Sequence, residues 1–299
     1  MHGLVFVTWE KYLAERFGNR LFQTYRETIG EDSMSSPLVS KVYDDTQLLA
    51  GVGAACQLTG LPSNVILRDY GRYFILNGLT NHLCAYLLSR VHSGKELLLV
   101  MRNAHAQMRR VPEALTPPLF GYEPMTKPDQ FILVYDSPRQ LCPLLYGAIE
   151  GAAERFQERV TIIESSCMKR GDATCRFELS FQPTRSASAR ETHEQARRRY
   201  EKQVLADQVL HVLPEQDGIE LGEIQQRIQQ QALNPKQSMP RLSAIQEAIN
   251  HLQFVGLAAS SANQPGENVM HRRYWRAPTD GTVSHTGFHD LRSSSARTK

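Results

Sequence analysis

Three hydrogen-bonding side chains lie two residues apart along one short segment: Tyr135, Ser137 and Arg139. If this segment is an extended strand, all three face the same side, because successive side chains of a strand alternate between its faces. A phenol, a hydroxyl and a guanidinium group placed together would bind a pair of carboxylates. About thirty residues earlier, His105 lies on an apolar face of a predicted helix. Because a haem carries two propionates and its iron is commonly held by histidine, such a helix beside such a strand would form a haem pocket.

With other segments of the chain, these residues resemble the haem nitric oxide/oxygen-binding (H-NOX) family of sensor domains. The matching segments follow the family order and cover residues 1–5, 71–73, 105, 117–118, 135–139 and 147–151. The resemblance extends over residues 1–181. It implies an α+β fold in which an N-terminal helical subdomain packs on a mixed or antiparallel sheet-and-helix subdomain. It also implies a haem b between the two subdomains, and so a haem-based gas sensor.

The resemblance assigns a role to individual residues. His105 would hold the haem iron and Arg139 would bind a propionate, with Tyr135 and Ser137 as supporting donors. Pro118 would press on the macrocycle. From the residues alone, other interpretations remain open: a buried histidine is commonly satisfied by a backbone carbonyl, and Arg139 would be an exposed residue of an ordinary strand. The pair formed by Pro118 and the preceding proline would then only separate two subdomains.

The side of the haem opposite His105 determines which gas is bound. Oxygen-binding members of the family have a tyrosine there that donates a hydrogen bond, and the matching residue of this chain is Leu144. Val5 and Gly78, at other positions that line the pocket, also lack a donor. A pocket without a donor favours nitric oxide and carbon monoxide over the more polar oxygen complex. Tyr146 lies about 200° further round the helix than Leu144 and is expected to face away.

Cys142, Glu164, Cys167 and Cys175 form a second group with metal-ligand chemistry. Three thiols and a carboxylate would hold zinc tetrahedrally. Some bacterial members of the family resemble this pattern but have histidine where this chain has Glu164, which predicts a weaker zinc site. The alternatives are a redox-active thiol cluster, or small buried cysteines without a ligand.

The pattern of apolar residues predicts a helical half followed by a mixed half. Apolar residues at helical spacing predict helices over residues 10–17, 20–29, 47–59, 62–79, 81–93 and 96–110. The mixed half has predicted strands over 131–135, 160–164 and 177–181, and a predicted helix over 141–156. Residues 182–203 are expected to be a linker with a solvated helix over 191–200.

Residues 204–278 are predicted to form a smaller output module, and residues 279–299 a disordered tail. A predicted helix over 205–213 is followed by a short strand running into a second helix over 219–231. With a third helix over 242–256 and two further short strands, these elements resemble a winged helix. Its basic residues would then meet the phosphates of DNA: Lys236, Arg241, Arg272, Arg273 and Arg276. The alternative is a protein-interaction module that regulates a partner histidine kinase or cyclase.

Composition limits the broad class of the protein. Apolar residues make up 41% of the chain and charged residues 22%, as in a globular protein. Residues 182–299 hold fifteen Lys/Arg and twelve Asp/Glu against nineteen of each before them, so the net charge of +3 lies in the C-terminal third. We expect no membrane segment, and five cysteines without an export signal predict reduced thiols and a cytoplasmic location. The sequence shows no nucleophile–base pair and no phosphate-binding loop, so we expect that the protein is not an enzyme.

Overall fold

The structure confirms the prediction that the first half of the sensor region is helical. The structure is a computed structural model of the 299-residue chain and describes residues 1–31, 36–108, 115–127, 129–184, 193–231, 239–261 and 272–277. Its first helices are α1 (Gly3–Phe17), α2 (Asn19–Thr28), α3 (Asp45–Thr59), α4 (Ser63–Leu76), α5 (Gly78–Leu83), α6 (Ala85–Leu88) and α7 (Gly94–Met108). Most predicted starts and ends differ from these bounds by a few residues, except that α1 begins at Gly3 rather than at residue 10. The single helix predicted over residues 81–93 is wrong, because α5 and α6 are separated at Cys84 and α6 ends at Leu88.

The single helix predicted over residues 62–79 is wrong, because Asn77 interrupts it. Asn77 has extended backbone angles, and its side-chain oxygen accepts a hydrogen bond from the Thr80 backbone N–H at 3.0 Å. Its side-chain nitrogen donates to the backbone carbonyl of Phe74 at 2.9 Å. Asn77 therefore caps both the end of α4 and the start of α5, as a side chain with a donor and an acceptor can.

The mixed half contains a four-stranded antiparallel sheet in the order β1-β2-β4-β3. Its strands are β1 (Leu119–Pro124), β2 (Gln130–Asp136), β3 (Glu158–Ser166) and β4 (Cys175–Pro183), and α8 (Cys142–Arg155) connects β2 to β3. Buried and half-buried residues alternate along β2, because one face of the sheet packs in the core. The predicted α+β fold is thus confirmed, and β1 is a strand that the sequence pattern did not predict.

Two apolar clusters form the core. One lies among α1 to α4 and includes Trp9 and Tyr70, and the other lies between the sheet, α7 and α8 and includes Phe131 and Phe177. Phe74 of α4 packs against both. The two subdomains therefore share a boundary that runs along α4.

Helices α4 and α8 cross in direct backbone contact at two glycines. A Cβ atom on Gly147 would overlap the backbone carbonyl of Arg68, and one on Gly71 would overlap the carbonyl of Leu144. Only glycine allows this approach, because any other residue would force the two helices apart. The crossing joins the helical subdomain to the sheet subdomain.

The C-terminal part begins with one long helix, α9 (His193–Val212), followed by α10 (Leu221–Gln231) and α11 (Leu242–Phe254). The prediction of a solvated helix over 191–200 separate from a helix over 205–213 is wrong. The N-terminal end of α9 has no apolar stripe, but ion pairs one turn apart support it, namely Arg197–Glu201 and Arg198–Glu194.

A short antiparallel hairpin of β5 (Ala258–Ser260) and β6 (Tyr274–Arg276) follows α11, and Ile219 pairs with Tyr274 in an isolated bridge. Buried residues of this part belong to the same apolar cluster as the sheet. The boundaries at 181, 203 and 278 stay predictions, and the predicted tail 279–299 lies outside the described residues.

No helix in the described part of the chain combines the length and the hydropathy that a membrane span requires.

The α4–α8 crossing gives a prediction for Gly147→Ala. The added methyl group would overlap the Arg68 backbone, which cannot rotate away, so we expect the free energy of unfolding to fall by about 1–3 kcal/mol. Gly53→Ala is the matched control, because Gly53 is an exposed position of α3 with no neighbour within 4 Å of an added Cβ. This control should be neutral or stabilise the protein by about 0.5–1 kcal/mol. Urea unfolding of both variants measures the difference, and equal stabilities would contradict the proposed contact.

Candidate functional site

His105 lies in the last turn of α7 and its side chain is half-buried. Its Nδ1 donates to the backbone carbonyl of Met101 at 2.7 Å, and a carbonyl can only accept, so Nδ1 carries the proton. In the neutral ring, Nε2 then carries the lone pair that a metal would use. The hydrogen bond to a carbonyl, expected for an ordinary buried histidine, is thus the same bond that prepares the ring as a ligand.

The ring of His105 is connected to the Tyr135 ring through Phe120. Phe120 meets His105 edge-on with ring centroids 5.3 Å apart, and its centroid is 5.5 Å from that of Tyr135. Pro118 comes directly before β1, on which Phe120 lies, and is half-buried. The structure therefore brings the predicted iron ligand and one predicted propionate donor to the same end of the sheet.

The segment from Tyr135 to Arg139 is not the continuous strand that the spacing predicted. Strand β2 ends at Asp136, and Ser137 and Arg139 lie in the following turn, where Gln140 has a φ of 49°. The groups still lie together, because Tyr135 and Ser137 are both buried and the Arg139 backbone N–H lies 3.4 Å from the Ser137 hydroxyl. Burial raises the pKa of the Tyr135 phenol to about 12, so the phenol stays a donor at neutral pH.

Arg139 binds a carboxylate of the protein itself. Its Nε donates to Asp45 at 2.6 Å, and its other nitrogens donate to the side-chain oxygen of Thr116 at 2.9 Å and to the backbone carbonyl of the same residue. The N-terminal amino group of Met1 lies 3.2 Å from the Asp45 carboxylate. Burial acts to raise the pKa of Asp45, but hydrogen bonds from Arg139 and Met1 outweigh it and lower that pKa. Sequence analysis missed Asp45 and Thr116, since nothing in their local spacing points to Arg139.

Val5 and Leu144, the predicted lining of the gas side, both pack against the cluster among α1 to α4 and are half-buried. Tyr146 packs instead on the sheet cluster, with its ring edge-on to Phe177 and the Arg68 guanidinium 4.3 Å from its centroid. The expectation that Tyr146 faces away from Leu144 is therefore confirmed.

The four residues of the predicted zinc site lie together. One ligand atom from each of Cys142, Glu164, Cys167 and Cys175 falls within 4.8 Å of the others. The sulfur of Cys167 is 3.7 Å from that of Cys142 and 3.9 Å from that of Cys175. A tetrahedral zinc ion with bonds of about 2.3 Å to sulfur would place its sulfur ligands about 3.8 Å apart. The thiols therefore have the separation that zinc requires, without a disulfide between them.

The surroundings of the four residues make some of them better zinc ligands than others. The Met168 backbone N–H donates to the Cys175 sulfur at 3.3 Å, a contact that would stabilise a metal-bound thiolate. Glu164 is less available, because Arg170 binds its carboxylate at 2.8 Å. Burial raises the pKa of the Cys142 thiol, so the thiol is protonated at neutral pH.

The family model described as "Haem-NO-binding" matches residues 2–164, more than half of the chain. The chain belongs to the haem-NO-binding (H-NOX) family. It is therefore a haem-based gas sensor in the broad sense of that family. No curated protein matches this chain.

Solved H-NOX structures share the fold. An H-NOX protein from S. oneidensis in the Fe(II)NO state is 21% identical, with a TM-score of 0.55, and the match covers 61% of this chain and 99% of that one. A T. tengcongensis H-NOX variant is 22% identical, with a TM-score of 0.53 and coverage of 61% and 97%. An oxygen-binding H-NOX domain related to soluble guanylate cyclases, solved as its oxygen complex, is 22% identical, with a TM-score of 0.54 and coverage of 61% and 94%.

The residues of this H-NOX chain fit a haem. His105 has the tautomer of a metal ligand, and Arg139 is a nearly buried cation, its side chain 9% exposed, that already binds a carboxylate. Val5 and Leu144 are apolar but only half-buried, as side chains beside a ligand would be. The assignment of these residues to haem stays a prediction, and it agrees with this geometry.

The phosphate-binding surface suggested for the basic residues of the C-terminal part stays a prediction, and two of these residues have hydrogen-bond partners within the protein. Arg276 donates to the backbone carbonyls of Leu210 and His211, and Arg273 donates to the carbonyl of Gly218. Helix α11 contains no Lys or Arg. Lys236 lies outside the described residues.

The Arg139–Asp45 pair gives a prediction for stability against pH. The pKa of Asp45 is lowered from its usual value of 3.8, so its stabilising contribution is present above that pH and is lost as the pH falls below it. Asp45→Asn should therefore be less stable than the unaltered protein at pH 7, by about 1–3 kcal/mol, and the difference should shrink as the solution is acidified. Arg72→Ala is the control, because the Arg72–Glu154 pair is about half exposed and should contribute less than about 1 kcal/mol. Equal losses in the two variants at pH 7 would contradict the role of Asp45.

Proposed function

We propose that this H-NOX protein binds nitric oxide, and also carbon monoxide, at a ferrous haem b held by His105. The observation that carries the proposal is the 2.7 Å hydrogen bond from His105 Nδ1 to Met101, which leaves Nε2 as the ligand nitrogen. Leu144 at the gas side offers no hydrogen bond to a bound gas. A gas whose complex needs a donor, such as oxygen, is therefore disfavoured.

When bound, haem would supply the iron that takes the gas. The chain would supply the rest: Arg139, with Tyr135 and Ser137, would hold the propionates, and Pro118 would pack on the macrocycle. Propionates at Arg139 would compete with Asp45 or share the guanidinium with it, because Asp45 and Thr116 already use its three nitrogens. The bond from His105 to the Met101 carbonyl ties the ring to the backbone of α7. A change in the pull on that ring would thus be passed to the whole helix.

We further propose that the C-terminal part is a winged-helix-like output module that contacts a signalling protein rather than DNA. The order of α9, Ile219, α10, α11 and the hairpin supports the likeness. DNA is the weaker alternative, because α11 has no Lys or Arg and because Arg273 and Arg276 donate hydrogen bonds to backbone carbonyls. Binding to duplex DNA that weakens steeply with salt would favour the alternative.

A second candidate function is a zinc or redox response of the thiols, and the sulfur separations of 3.7 and 3.9 Å favour it. It is compatible with gas sensing, since the thiols and His105 lie on different elements. The reduced thiols also support a location in the cytoplasm, where such cysteines stay unpaired.

The test of gas binding is the absorption spectrum of the reduced protein, before and after anaerobic nitric oxide and then in air. We expect a ferrous Soret band that shifts with nitric oxide and no stable oxygen complex, because Leu144 provides no donor. His105→Ala should abolish the five-coordinate ferrous spectrum, whereas His92→Ala, a control at an exposed position before α7, should leave it unchanged. The absence of a Soret band after haem is supplied would sink the proposal, and a stable oxygen complex would overturn the choice of gas.

The test of the thiol site is the zinc content of protein purified under reducing conditions. We expect about one zinc per chain, because the three sulfurs have the spacing of a tetrahedral site. Cys142→Ser should lose the metal, while Cys84→Ser, a half-buried cysteine outside the cluster, should keep it. Metal-free protein after incubation with zinc would rule the site out.

A further inference from the structure

Helix α7 contacts the C-terminal module directly, close to His105. Arg102, one turn before His105, is a buried cation with 6% exposure. Its Nε donates to the backbone carbonyl of Phe120 at 3.0 Å, and its Nη1 donates to the carbonyl of Gly256 at 2.5 Å. Since the Phe120 ring also touches His105, one side chain connects the surroundings of the predicted iron ligand to the module.

The atoms that α7 binds in the module are those at the end of α11. Asn103 donates through Nδ2 to the carbonyl of Phe254 at 3.1 Å, next to the Arg102 contact with Gly256. The last carbonyls of a helix have no partner within it, and the positive charge of Arg102 lies at the negative end of the helix dipole. Arg90 adds a cation–π contact, 3.8 Å from the centroid of the Phe254 ring. These contacts from α7 therefore add to the cap that α11 forms by itself, in which the Gly256 N–H donates to Gln253 and the Leu257 N–H donates to Leu252.

Gly256 makes this close contact possible. Its φ of 74° ends α11, as the sequence predicted, and a Cβ atom there would lie 2.8 Å from Asn103 Cγ. The contact is thus closely fitted, because a side chain at position 256 would overlap Asn103.

The contact is loose at the other end of α7. Lys95 is buried, and its Nζ lies 3.4 Å from both carboxylate oxygens of Asp207 on α9, longer than a good hydrogen bond. The Tyr122 hydroxyl is also 3.4 Å from Asp207. A cavity of about 930 Å³ separates α7 from the module there, and Lys95, Asp207 and His251 are among its lining residues. The N-terminal end of α7 therefore holds the module less closely than its other end does, although it is fixed to the sheet, where the Gly94 N–H donates to Glu158 at 2.8 Å.

We infer that the position of α7 and the docking of the module are one coupled equilibrium, with Arg102 and Asn103 capping α11 only when α7 occupies the position seen here. This inference rests on the proposed function, since it takes His105 as the site where the gas acts on α7. A shift of α7 would break the two hydrogen bonds at once and release the end of α11. By linkage, breaking the cap from the module side would change gas affinity by the same factor.

The test is hydrogen–deuterium exchange of the full-length ferrous protein over residues 251–258, with and without nitric oxide. In the unaltered protein, nitric oxide should raise exchange at this end of α11 at least twofold. Asn103→Ala should raise it about fivefold without gas, the factor expected from one lost part-buried hydrogen bond, and nitric oxide should then add nothing. Asn250→Ala, an exposed asparagine of the same helix, is the control and should behave like the unaltered protein.

A pair of glycine variants tests the fit of the cap separately from backbone strain. Gly256→Ala and Gly60→Ala place alanine at φ values of 74° and 71°, but Gly60 has no neighbour within 4 Å of a Cβ atom. Both should lower stability, and only Gly256→Ala should raise exchange in α11 and change the affinity for nitric oxide. The same response to both would contradict the cap.

Two outcomes would overturn the coupling. One is that the absorption spectrum shows bound nitric oxide while exchange in α11 stays unchanged. The other is that exchange in α11 of the Asn103→Ala variant still responds to nitric oxide. If the protein takes up no haem, the proposed function and the coupling to gas fall together. The contact between α7 and α11 is then tested with haem-free protein. Unchanged exchange in the Asn103→Ala variant would overturn it.

Discussion

The backbone contact between α4 and α8 is the constraint on which the rest of the sensor depends. At Gly71 and Gly147 the two helices approach so closely that a methyl group on either would meet backbone. Helix α8 carries Leu144 on one side and Tyr146 on the other, so this crossing sets which of them faces the helical subdomain. It also fixes Cys142, at the start of α8, against the thiols that follow β3.

Helix α7 belongs to two packing arrangements at once. Its apolar residues, such as Leu98, lie in the cluster that contains the sheet, α8 and the core of the C-terminal module. Its polar residues divide between the two sides, because His105 touches Phe120 whereas Asn103 binds the end of α11. A helix shared in this way cannot move on one side without a change on the other, which is the physical requirement for a signal to leave the sensor.

Three of the arginines that the sequence marks as ligand-binding residues have partners within the protein. Arg139 binds Asp45, and Arg273 and Arg276 bind backbone carbonyls of the module. A guanidinium group cannot lose its charge and is costly to bury without partners, so folding provides an acceptor for each of them. For Arg139 the acceptor is a carboxylate beside a buried phenol and hydroxyl, which agrees with a role in binding propionates. For the other two, the acceptors are backbone carbonyls, which use part of the donor capacity of each guanidinium group.

The class of fold, the family and the set of candidate residues could be predicted from the amino-acid sequence alone. The patterns behind these predictions are local or depend only on distance along the chain. They are the helical spacing around His105, the order of the family segments and the intervals between Cys142, Cys167 and Cys175. The same is true of the opposite orientations of Leu144 and Tyr146, because residues two positions apart on an α-helix point in directions about 200° apart.

Only the tertiary structure decided which groups meet. Asp45 reaches Arg139 across 94 residues, and Asn103 reaches Phe254 across 151. Neither pair leaves a trace in local spacing, since the partners come from elements that packing alone brings together. The end of β2 at Asp136 and the continuity of α9 were also decided there, because a turn and a solvated helix depend on contacts that residue types do not specify.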